Sequence, residues 1–378
     1  MNQSVAPVEE IRPPVSLLPM QEGREQFRHG LNHILAHCLI GRWWFAVERV
    51  LQWFAGRERT VTLTATMIAL NLFGFVASTI LSLVFEPALV YQPATFYSPL
   101  VWTLFTIVYI RVMHTQLTHA VKILSSTIAE SISSPKDLVD LRLLIERAMS
   151  IPGQFAFSLI FALIAGVWIP RVLTLYADAT FEIGEIALYV LLYFEIGMYI
   201  YFLLVVISVL LGLGQFNLDI YANDPSNSPL VRRVYQVCSA LTLWAAALGA
   251  LHYFIMSVHR VDASVPFILT TFVVLGWLPP ISLFVTIHLS LAGMMAAAKG
   301  KKLAEVQQLI RHVEARSDLT EREQLTDIQQ LMDYHDRIRA TPNSMINLSS
   351  ITNLLGTLLL PLVATILGNI TTILALLD

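Results

Sequence analysis

Charged side chains are scarce in this chain. They make up 13% of its 378 residues, where soluble domains carry roughly 25%. With 56% hydrophobic residues and a mean hydropathy of +0.64, the composition argues against a soluble domain and against a nucleic-acid partner. It reads as a membrane protein whose first partner is the lipid bilayer. Cysteine is scarcer still: Cys38 and Cys238 are the only two, too few for a disulfide framework. The opening run MNQSVAPVEEIRPPVSLLPMQEGREQ lacks the basic-then-apolar order of a signal peptide. Residues 1–26 read as a flexible cytosolic tail.

Catalytic signatures are missing as well. There is no H-E-x-x-H, G-x-S-x-G, P-loop or C-x-x-C. No cofactor is implied, and an enzyme is the less favoured reading. The last apolar run contains no lysine, which excludes a retinal Schiff base there.

What is present is long apolar runs. A bilayer core of ~30 Å needs about 20 apolar helical residues. Seven stretches fit, near 61–85, 96–113, 153–176, 186–213, 235–257, 265–295 and 348–376. The segments on one side of them hold 22 of the 24 Lys and Arg residues; only Arg171 and Arg260 lie elsewhere. The positive-inside rule then predicts an all-α, polytopic membrane helix bundle of seven transmembrane helices, with a cytosolic N-terminus and an external C-terminus. The short external loops lack an N-x-[ST] sequon, which fits a prokaryotic inner (plasma) membrane. Residues 61–378 form the transmembrane domain.

Two helical hairpins, 114–151 and 298–340, are expected on the cytosolic side. In the first, Leu117, Val121, Leu124, Ile128 and Ile132 continue span 2 at helical spacing. Ser134 and Pro135 then supply an N-cap and a first-turn proline for the return helix. In the second, Thr320 and Glu323 have capping-box spacing before the return helix. The return helices read DLRLLIE from Asp140 and DIQQLMD from Asp327, and prolines follow at matching places (Pro152 and Pro342, Pro170 and Pro361). This pattern suggests a 3+1+3 parallel internal repeat, with span 4 as linker.

Residues 27–60 read as an amphipathic interfacial region. At 3.6 residues per turn, His29, His33 and His37 share one side, opposite Phe27, Leu31, Ile34, Leu35 and Cys38. The histidines are expected to face the cytosol or the headgroups, and no metal is assigned to them. The alternative is a membrane metalloenzyme that adds His114, His119, His288, His312 or His335 from the same side. It lacks the adjacent His-His pair of di-iron membrane hydroxylases. Trp43, Trp44 and Trp53 read as boundary anchors.

Polar groups inside spans are costly in lipid, so they mark functional candidates. Glu195 in span 4, Arg171 near the outer end of span 3, His252 in span 5 and Asn71 in span 1 form the candidate polar site. Arg171 is within reach of Glu195 if spans 3 and 4 are neighbours. Pro279 and Pro280 each lack an N–H and are expected to kink or break span 6 as a hinge. The sequence reading is a non-enzymatic carrier or channel-like conduit for a small solute or ion. A membrane sensor or signalling scaffold, acting through the hairpins on a cytosolic protein partner or a second copy in a homo-oligomer, is the alternative.

Overall fold

The computed structural model describes residues 20–55, 62–85, 93–168, 183–221, 224–258, 266–316 and 322–342. Among them the protein is helical apart from loops and one isolated β-bridge. Among the described residues six helical stretches are long and apolar enough to cross a membrane, and they overlap the first six expected spans. The seventh expected span, 348–376, lies outside the described residues, and so does the part of the repeat that depends on it.

The helices are α1 (Met20–His37), α2 (Leu39–Ala55), α3 (Leu63–Phe85), α4 (Pro93–Ser131), α5 (Pro135–Ala148), α6 (Ile151–Leu163), α7 (Ile183–Leu213), α8 (Pro229–Val258), α9 (Pro266–Arg316) and α10 (Arg322–Ala340). A π-helical turn, Ile164–Trp168, extends α6.

α3 shows the inverted amphipathy of a lipid-facing helix. Its buried stripe is Thr66, Met67, Asn71, Phe75, Ser78 and Ser82, while Leu72, Phe73, Val76, Ile80 and Val84 are exposed. Lipid solvates large apolar side chains well, so helix contacts in a bilayer favour small and polar residues. α7 is apolar on every side, the pattern of a helix surrounded by others. It is the central helix, packed against α3, α4, α5, α6 and α9.

Close packing around α7 depends on small residues. A Cβ built on Gly166 would lie 2.8 Å from the backbone nitrogen of Val190, and one on Gly197 would lie 3.1 Å from Ser158 Cα. In the FGFVAS stretch of α3, a Cβ on Gly74 would meet Leu191 at 2.8 Å.

The turn between α4 and α5 carries the helix start that its sequence implies, and α5 packs on α1 and α7. Ser134 is extended at the N-cap, and Pro135 opens α5. The turn is hydrogen-bonded to the segment that leaves α7. Asp219 N–H donates to the Ser131 carbonyl at 2.7 Å, Asn217 N–H donates to Asp137 Oδ2 at 3.0 Å, and Ile132 bridges to Leu218. α9 touches the short 3-10 turn Pro225–Asn227 in the same connection. The α4–α5 turn and the described parts of the α7–α8 connection, 214–221 and 224–228, therefore share one end of the bundle, which we call the basic end.

α1 begins at Met20, so residues 20–26, expected in the tail, are helical. The reason is a surface to pack on: Gly23 sits against Leu138 and Pro135, and Phe27, Leu31 and Ile34 join the core that holds Leu138 and Leu141. Arg28 pairs with Glu130 at 2.7 Å, but both side chains are substantially exposed (41% and 63%), so the pair contributes at most about 1 kcal/mol.

α9 runs as one continuous helix through Pro279 and Pro280. The expected interruption there is thus not an unwound segment. Pro280 is buried and Pro279 half-buried. Further on, the buried Lys299 donates to the carbonyls of Arg339 and Thr341 at 2.8 and 2.7 Å. These are carbonyls at and just beyond the end of α10, where a helix presents unsatisfied acceptors and a partial negative charge.

Candidate functional site

Glu195 lies at the centre of the bundle and is fully buried. Two of the residues singled out from sequence meet here: Asn71 Nδ2 donates to Glu195 Oε2 at 3.1 Å and also to the Met67 carbonyl at 3.0 Å. The other carboxyl oxygen, Oε1, accepts from Trp43 Nε1 at 3.3 Å. Asn71 is eight residues into α3 from Leu63, which puts this level about 12 Å inside the basic end of that helix at 1.5 Å per residue. Arg171 lies outside the described residues, and the side chain of His252 is likewise not described.

One turn along α7 is Tyr199, on the same face as Glu195 because four residues are just over one turn. Tyr199 OH accepts from Trp44 Nε1 at 3.0 Å and lies 3.2 Å from His114 Nδ1. An indole N–H is only a donor, so the Tyr199 oxygen is the acceptor in the first bond.

Neighbouring tryptophans on α2 thus reach two acceptors spaced one turn apart on α7. α2 enters through a sharp corner after α1, where Cys38 is buried and its thiol pKa is pushed up by burial. Gln154 of α6 fastens the corner, since its Oε1 accepts from Leu39 N–H at 2.9 Å.

Between this corner and α4 lies an open cavity of about 950 Å³. Its wall is mostly apolar, with Leu35, Trp44, Leu63, Leu117 and Phe202 among the lining residues, and His37, Glu48, His114 and Tyr199 also line it. Glu195 is not in the wall. Tyr199 is, so the cavity ends one helical turn short of the buried carboxyl.

His29, His33 and His37 are all exposed, with Phe27, Leu31, Ile34 and Cys38 buried opposite them. The rings of His33 and His37 stack at 4.0 Å. Among the described residues no three His, Cys, Asp or Glu side chains converge as metal ligands.

Sequence reasoning missed Trp43, Trp44 and Tyr199 as members of the polar centre. The available signal was that a buried indole or phenol needs a hydrogen-bond partner. Glu195 and Tyr199, four apart, are suitable acceptors for adjacent tryptophans. Comparison with protein-family models, with curated proteins and with solved structures found no match to the chain.

Proposed function

We propose that this integral membrane protein is a non-enzymatic carrier or conduit for a small solute or ion. The observation that carries the reading is a fully buried carboxyl at membrane depth, held among the described residues by neutral donors and approached by an open, mostly apolar cavity that includes His114 and Tyr199 in its wall. Buried polar groups in a bilayer are costly and concentrate along transport paths. The path runs from the basic end through the cavity to Tyr199 and then to Glu195. The test is flux in reconstituted vesicles, with ion-sensitive dyes and a panel of labelled small solutes. Glu195→Gln, which keeps shape and loses the charge-bearing group, is expected to fold and to abolish flux. Unchanged flux in this variant removes Glu195 from the path.

The sensor reading has one observation in its favour. The segment following α7 is hydrogen-bonded to the tip of the first hairpin, so a displacement of α7 at Glu195 has a mechanical route outward to a cytosolic partner or a second copy. Absence of flux for every probe, together with a pH-dependent change in spin-label mobility at Ser133, would favour it.

The basic end is cytosolic in this proposal, the membrane is the inner (plasma) membrane, and 348–376 forms a seventh span with an external C-terminus. Reporter fusions test this. Residue 320 is expected in the cytosol and residue 378 outside, and a cytosolic C-terminus would remove the seventh span.

A further inference from the structure

Asn71 carries an anomaly. Its Nδ2 makes two hydrogen bonds, but its Oδ1 is buried without a partner among the described residues. A buried amide oxygen left unpaired is destabilising. An orphaned acceptor in a native site calls for an explanation, such as a group that is present in only one state.

We propose that Glu195 is a proton-binding site, that Asn71 Oδ1 is the acceptor for the bound proton, and that the proton is a coupling ion of this protein. The donor inventory of the site supports this. An ionised carboxyl only accepts, and it finds two donors, Trp43 Nε1–H and Asn71 Nδ2–H. A protonated carboxyl must donate once, and the spare acceptor is on the amide that already faces it. Acid and amide then form a two-point pair: the acid O–H donates to Asn71 Oδ1, and the amide N–H donates to the acid carbonyl oxygen. Trp43 can still donate to the carboxyl in both states. The site therefore has partners for either protonation state, and the proton enters from water and leaves to water with no other bond changed.

A metal cation fits the same atoms poorly. Two N–H donors already point at the carboxyl, and they would oppose a cation placed there. Alkali and alkaline-earth ions also seek several oxygen ligands.

The neighbouring ionisable groups leave Glu195 as the centre of this chemistry. α3 and α6 contain none. α2 presents Trp43, with Cys38 at the corner before it, and α4 presents His114 and Tyr109 toward Tyr199 of α7. The described ionisable side chains of α9 begin at His288, which packs against Tyr235 and Phe284. His114 and Tyr199 line the cavity one turn from Glu195 and form the approach from water. No described cation pairs with the carboxyl.

This inference deepens the conduit reading, and its test separates the two. Infrared difference spectra of the purified full chain, taken as pH is lowered, are expected to show the C=O stretch of one protonated buried carboxyl. The band is lost in Glu195→Gln, retained in Glu195→Asp, and shifted in Asn71→Leu, where the acid O–H has no acceptor. The same protein, in vesicles of phosphatidylethanolamine and phosphatidylglycerol, is expected to collapse an imposed pH gradient, and Glu195→Gln is expected to lose this activity. A band without flux supports the proton site and removes the conduit. Flux of another ion without the band overturns the proton site and keeps the conduit. A band that persists in Glu195→Gln, that ignores Asn71→Leu, or that sodium abolishes at constant pH overturns the inference. Melting temperatures of the variants show whether each has folded.

Discussion

Replacing Gly166 by alanine is expected to lower stability by about 1–3 kcal/mol, the usual cost of overpacking a close-packed interior. The expectation follows from which atoms the new methyl would meet. They are backbone: Val190 N at 2.8 Å, Val190 Cα at 2.9 Å and Tyr189 C at 3.0 Å. A side chain can rotate away, but a helix backbone moves only as a unit. Alanine would push the π-helical end of α6 off α7, and α7 is the helix that carries Glu195. Gly293 is the control. Nothing lies within 4 Å of a Cβ built there, so Gly293→Ala is expected to be neutral or to stabilise by up to about 1 kcal/mol through helix propensity. Denaturant titration in mixed micelles measures both. Equal effects at the two positions would mean that α6 and α7 do not approach closely at Gly166.

The polar centre is expected to behave differently under single and paired substitution. Asn71→Leu removes the donor to Glu195 Oε2, and Trp43→Phe removes the donor to Oε1. Each is expected to cost about 1–2 kcal/mol, the upper range for hydrogen bonds between membrane helices. Glu195→Leu combined with Asn71→Leu removes both members of the acid–amide pair and adds apolar volume, leaving the Trp43 indole N–H as the one group that loses its acceptor. By the logic of buried polar pairs, the combination should recover much of the loss. A coupling energy of about 0.5–3 kcal/mol between the two positions is the expected signature of direct contact. Near-additive losses would mean that Asn71 and Glu195 do not share a hydrogen bond. Flux should be lost in the double variant even where stability returns.

Much of this architecture was legible in the sequence because it follows from one-dimensional rules. Apolar runs of spanning length mark α3, α4, α6, α7, α8 and α9. Ser134 followed by Pro135 marks the start of α5, and the period of His29, His33 and His37 marks the exposed side of α1. Glu195 and Asn71 stood out because polar groups are costly in lipid wherever the chain goes next. The start of α1 was less legible. Residues 20–26 are mostly polar and carry little apolar pattern to mark a packed helix, and they rest on α5 and the end of α4.

The partners of Glu195 were a tertiary decision. Two of its groups lie far apart along the chain, Asn71 at a separation of 124 residues and Trp43 at 152. Nothing local to either position records that distance. The expected partner, Arg171, lies outside the described residues, and among those described α2, read from its tryptophans as lying at the membrane boundary, supplies a donor through Trp43. That placement depends on the corner at Cys38 and its anchor Gln154, which turn an amphipathic segment inward. Sequence alone determined that this chain crosses a membrane several times and carries a buried carboxyl, because burial costs are set by residue type. The three-dimensional packing decided which donors surround that carboxyl, that one acceptor beside it is left open, and that a cavity stops one turn away. Those features depend on how separate helices meet.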